Sequence, residues 1–154
     1  MNELKRILLV EDNPNDVELA QAAFEAANLA NEVVVTRDGA EALDYLFRRG
    51  AFANRLPGHP AVVLLDLKLP KVDGIEVLTA VRAEPSMKSL PVVMLTSSRE
   101  EPDLKRCYAL GVNAYVVKPV SFQDFIAVGK TLGVFWALIN EPPPASEAPS
   151  PRTP

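Results

Sequence analysis

Five short apolar runs recur along the chain: ILLV at 7–10, VVV at 33–35, VVLL at 62–65, VVML at 92–95 and AYVV at 114–117. A strand with one solvated face alternates apolar and polar residues, so unbroken runs of this length predict strands covered on both faces. Between the runs, apolar residues return at three- and four-residue spacing over 16–27, 40–49, 75–83, 103–110 and 122 to about 140. That spacing puts them on one side of a helix. Strand and helix alternate five times, which predicts an α/β sandwich: a parallel sheet with helices on both faces.

Polar punctuation agrees with these boundaries. Asn13-Pro14, Asp38-Gly39 and Asp73-Gly74 open the first three helices, and Ser121 with Asp124 can cap the fifth. Two stretches stand outside the repeat. GAFANRLPGHP at 50–60 is a longer connection than usual and a candidate contact surface. From 141 onward, EPPPASEAPSPRTP lacks the apolar residues for a core and reads as a flexible Pro-rich tail, leaving 1–140 as the domain.

A chain of 154 residues accommodates one domain plus this tail. Its formal net charge of -4 offers no broad basic surface, so direct nucleic-acid binding is not expected. Cys107 is the single cysteine and has no internal disulfide partner; it reads as a small helix residue rather than a redox sensor. MNELKR leads into the first strand without the apolar core of a signal peptide, and no apolar stretch reaches the ~20 residues of a membrane span. The expected compartment is the cytoplasm, with no membrane partner.

The chemically informative residues lie at strand ends: Glu11 and Asp12 after the first, Asp66 after the third, Thr96 after the fourth, Lys118 after the fifth. In a parallel sheet these ends open on one edge. In the flavodoxin-like doubly wound order 2-1-3-4-5, the first and third strands are neighbours at the switch point, so three carboxylates converge. Such a group needs a cation. Hard oxygen ligands point to Mg2+, with Asp12 and Asp66 as direct ligands and Glu11 acting through water. His59 and Cys107 are too few and too distant for zinc. Lys118 and Thr96 suit two oxygens of a phosphoryl group carried by Asp66, whose carboxylate would be the nucleophile.

With VEDN at 10–13, LLDLKLPKVDG at 64–74, LTSS at 95–98 and AYVVKP at 114–119, residues 5–140 resemble the receiver domains of bacterial two-component response regulators. The resemblance implies that Asp66 is the phosphoacceptor and that Glu11 and Asp12 form its acidic pocket. It further implies that the backbone carbonyl of Lys68 completes the magnesium site, that Thr96 and Tyr115 form a switch pair, and that the Lys118–Pro119 bond is cis. Glu11 stands where many members carry Asp. DNPNDVELAQAAF, FRRGAFANRLPGHP and FWALINEPP look like the single-domain regulators that partner bacterial and cyanobacterial phytochromes. That narrower likeness implies a light-responsive sensor histidine kinase as phosphoryl donor.

The last helix carries two apolar stripes, and one buried face requires only one. Phe122, Phe125, Ile126, Leu132, Trp136 and Ile139 form the first, and Val128, Phe135 and Leu138 the second. A homodimer involving Phe122, Phe125, Val128, Phe135, Trp136 and Leu138 is expected. The leading expectation is thus a stand-alone response regulator and not a turnover enzyme. The rivals are a magnesium-dependent small-molecule phosphatase or phosphotransferase and an unphosphorylated dimeric scaffold.

Overall fold

Each apolar run becomes a strand, and the sheet divides its side chains between two cores. The computed structural model describes residues 6–28, 31–118 and 121–132. In chain order these form β1 Ile7–Val10, α1 Pro14–Ala26, β2 Val33–Thr36, α2 Gly39–Phe47, β3 Val62–Leu65, α3 Gly74–Ala83, β4 Val92–Thr96, α4 Glu101–Ala109, β5 Ala114–Val117 and α5 Phe122–Leu132. The strands pair in parallel in the order β2-β1-β3-β4-β5. Alternate residues point to opposite faces. Leu8, Val10, Val63, Leu65, Val92 and Met94 join Leu46, Leu78 and Cys107 on one face, and Ile7, Leu9, Val62, Leu64, Val93 and Leu95 meet Phe24 and Phe125 on the other. The central strands β1, β3 and β4 are buried throughout, so their runs contain no polar positions, while the edge strands β2 and β5 are half-buried.

Side-chain caps set where the helices begin. The Asn13 carboxamide accepts from the N–H groups of Asn15 and Asp16, at 2.9 and 3.3 Å, with Pro14 at the first helical position. Asp38 accepts from the Glu41 N–H at 2.7 Å, and Asp73 and Glu76 form a reciprocal capping box. Ser121 accepts from the Asp124 N–H at 3.0 Å. The helices α1 and α4 start two residues before the apolar periodicity does, because Pro14 and Pro102 are tolerated in a first turn that has no apolar contacts to make.

The connection at 50–60 contains a short 3-10 turn, Gly50–Phe52, and is held by Arg55. That guanidinium lies 4.1 Å from the Tyr45 ring centroid and donates to the carbonyls of Tyr45, Leu46, Leu56 and Gly58. Leu56 stays exposed at the loop surface.

One sequence expectation is corrected here. Phe125 is not available for dimer contacts: the residue is 3% exposed and its ring packs edge-to-face on Phe24 of α1, with ring centroids 6.3 Å apart. Phe122 is exposed. The side chain of Val128, residues Phe135, Trp136 and Leu138, the Lys118–Pro119 bond and the tail from 141 lie outside the described residues. No helix among the described residues is long and apolar enough to cross a membrane.

Candidate functional site

Backbone hydrogen bonds carry the sheet register just past the strands and so fix the residues that follow them. The Glu11 N–H donates to the Thr36 carbonyl at 3.0 Å, the Asp66 N–H to Val10 at 3.1 Å, and the Lys118 N–H to Thr96 at 2.8 Å. These bonds bring Glu11, Asp12, Asp66, Thr96 and Lys118 to the carboxyl edge of the sheet, around the crevice between β1 and β3. At Gly74, an added Cβ would lie 2.4 Å from the Asp66 carbonyl oxygen, so only glycine lets the start of α3 approach the Asp66 segment this closely.

Lys118 is the centre of charge. Its ammonium donates to Glu11 Oε1 at 2.6 Å, Asp16 Oδ2 at 2.9 Å and Asp66 Oδ2 at 3.1 Å. Glu11 and Asp66 are buried and Asp12 is exposed. Burial, reinforced by the charge of Asp66, raises the Glu11 carboxyl pKa from 4.5 to about 7 despite the Lys118 contact. Burial also works against the Lys118 ammonium, but its hydrogen bonds to Glu11 and Asp16 and the charge of Asp66 outweigh that and hold its pKa above the usual value.

One ammonium does not neutralise this many carboxylates. Ligand oxygens from Glu11, Asp12 and Asp66 lie within 4.8 Å of one another, a donor set that suits a hard divalent cation. Soft or imidazole ligands are not part of it: His59 meets Ser86 in another region, and Cys107 is buried in the core.

Thr96 and Tyr115 meet through an intermediary. The Ser98 N–H donates to Thr96 Oγ1 at 3.2 Å, while the Ser98 carbonyl accepts from the Tyr115 hydroxyl at 3.1 Å. Ser98 also donates its hydroxyl to Asp103 in the first turn of α4, at 2.6 Å. The Lys68 N–H donates to Asp66 Oδ1 at 3.3 Å.

The sequence reading missed two participants, Asp16 and Ser98. An acid in the first turn of a helix ordinarily complements the helix dipole, and that sufficient local explanation concealed Asp16. Ser98 lies within the LTSS segment, yet its backbone groups, which sequence patterns do not distinguish, do most of the connecting.

The chain is similar to known proteins in sequence and in fold. Residues 7–129 match the family model described as the response regulator receiver domain. The probable methanogenesis regulatory protein FilR2 of Methanothrix harundinacea is 41% identical over 137 residues, covering 89% of this chain and 86% of its own. Response regulator Rcp1 of Synechocystis is 38% identical over 135 residues, covering 88% and 90%. The crystal structure of its Mn(2+)-bound form superposes with a TM-score of 0.78, at 36% identity over 91% of this chain and 99% of that one. The bacteriophytochrome response regulator RtBRR has a TM-score of 0.77 and 61% identity, covering 94% of this chain and 87% of its own.

Proposed function

The chain belongs to the response regulator receiver domain family of signalling switches, and from that premise we propose that Asp66 accepts a phosphoryl group from a sensor histidine kinase of the phytochrome type. The observation that carries this reading is the Lys118 ammonium, 3.1 Å from Asp66 Oδ2, beside the converging oxygens of Glu11, Asp12 and Asp66. In the transfer, an Asp66 carboxylate oxygen attacks phosphorus, the bond between phosphorus and the donor imidazole nitrogen breaks, and the imidazole leaves with that electron pair and takes up a proton. Charge on the moving phosphoryl group must be matched by groups already in place. Lys118 supplies a fixed positive charge, and the Thr96 hydroxyl supplies a donor once it turns from Ser98. Mg2+ held by Asp12, Asp66, the Lys68 carbonyl and, through water, Glu11 would neutralise phosphoryl oxygens.

Movement of Thr96 toward the phosphoryl group would release the Ser98 N–H and let Tyr115 turn inward, reshaping the surface around α4, β5 and α5. In this reading, signalling proceeds through changed protein contacts in the cytoplasm, with a homodimer formed through α5 and the residues that follow it. The exposed Phe122 supports that interface. The likeness to RtBRR and Rcp1 supports a phytochrome kinase as donor.

Intact mass after incubation with acetyl phosphate and magnesium tests the chemistry. One phosphoryl gain is expected for the wild type and none for Asp66→Asn or with chelator present; labelling of the variant would overturn the assignment. Transfer from a purified phytochrome kinase, set against an unrelated histidine kinase, tests the donor. Equal rates would remove the light-sensing assignment.

A further inference from the structure

Lys118 has three ammonium protons and three carboxylate acceptors, and one acceptor has no part in the chemistry above. Glu11 and Asp66 both belong to the set of oxygens that converges with Asp12, but Asp16 does not. It enters from the first turn of α1, where the Asn13 cap holds its backbone N–H at 3.3 Å. Resting on the phosphoacceptor reading, we propose that Asp16 is a positioning residue: it keeps one ammonium proton of Lys118 engaged, so that the other two, which meet Glu11 and Asp66 in this structure, stay over the crevice and can turn to a phosphoryl oxygen on Asp66.

The geometry of an ammonium gives this contact its effect. A lysine head is a point charge on a flexible stem, and nothing in the side chain itself sets the direction of its N–H bonds. Holding one N–H at a defined acceptor restricts the other two to a cone. Engagement of Glu11 and Asp66 by a cation or a phosphoryl group weakens their hold on Lys118. Asp16, 2.9 Å away and outside the converging set, is the acceptor that persists.

The charge of Asp16 also repels an incoming phosphoryl group. The Asp16 side chain is 33% exposed, against 14% for Lys118, so solvent screens its longer-range field more than its direct contact. Positioning therefore outweighs repulsion. The opposite balance would make Asp16 a competitor for Lys118, and removing it would then tighten phosphoryl binding.

The test uses the full chain with beryllium fluoride, a noncovalent phosphoryl mimic, titrated in saturating Mg2+ and followed by fluorine NMR. Mg2+ affinity is measured separately by calorimetry. Asp16→Asn should weaken mimic binding about tenfold, the scale of one charge-assisted hydrogen bond. Mg2+ affinity should stay within about twofold, because a partly exposed charge outside the ligand set is well screened. Asp16→Glu should recover most of the loss, and Glu18→Gln, an exposed acid on the same helix, should change neither quantity. Mimic binding equal to or tighter than wild type in Asp16→Asn overturns the proposal, as does an equal loss of Mg2+ affinity, which would mark general damage to the pocket. Failure of the wild type itself to bind the mimic would instead refute the phosphoacceptor reading.

Discussion

The Tyr115 hydroxyl donates to the backbone carbonyl of Ser98 at 3.1 Å, tying β5 to the loop that follows β4. Ser98 in turn holds Thr96 through its N–H and Asp103 through its hydroxyl. One buried residue thus joins the Thr96 hydroxyl to the aromatic on the edge strand and to the start of α4.

Tyr115→Phe removes that tie and little else. The expected cost is about 1 kcal/mol, the usual net worth of a neutral hydrogen bond. Amide exchange over 97–100 should accelerate, while β1 and β3 keep their protection. Unchanged exchange at Ser98 would mean that the phenol does not hold the loop.

Asp66→Asn should stabilise the cation-free protein. The substitution removes a charge that repels the buried Glu11 carboxylate, while Lys118 keeps Glu11 and Asp16 as charged acceptors and an amide oxygen in place of Asp66 Oδ2, so roughly 1 kcal/mol of net relief is expected. Magnesium should raise the melting temperature of the wild type much more than that of the variant, because only the wild type keeps the full set of ligand oxygens. Calorimetric melts with and without Mg2+ check both outcomes.

The pH dependence follows from Glu11. Its folded pKa, about 7, lies above its ordinary 4.5, so between these values the folded chain binds more protons at this site than the unfolded chain. Stability from this group is present below the ordinary value and is lost as pH rises through about 7. The melting temperature of the cation-free wild type, taken relative to Glu11→Gln, should fall from about pH 5 to about pH 8. Mg2+ affinity should rise over the same interval, since the proton and the cation compete for one carboxylate.

Gly74→Ala should damage fold and site together. The new methyl meets the Asp66 carbonyl oxygen at 2.4 Å and Leu67 Cα at 2.8 Å, both backbone atoms that cannot swing away. A loss of about 2 kcal/mol is expected for overpacking of this kind. Denaturant melts measure it, and slower phosphoryl gain from acetyl phosphate would report displacement of Asp66.

The strands were readable because burial on both faces leaves a local mark. Three of the five match their apolar runs residue for residue; the other two extend by Thr36 and Thr96. Those threonines continue the ladders, Thr36 opposite Val10 and Thr96 opposite Val117, and a run defined by hydrophobicity alone stops before them. Helix caps were readable for the same local reason. Phe125 was misassigned because periodicity shows that a helix has apolar faces without showing which one meets its own domain; contact with Phe24 decides that.

The amino-acid sequence by itself determined the alternation of strands and helices, the caps between them, and the placing of Glu11, Asp12, Asp66, Thr96 and Lys118 at strand ends, because each is written in residues close along the chain. Only the tertiary structure decided that Lys118 reaches Asp66 across 52 positions and Asp16 across 102. Those contacts exist because the crossover connections set β3 beside β1 and β5 at the edge, and α1 brings its first turn over the crevice. Such distances depend on how the whole sheet closes, and no local pattern carries them.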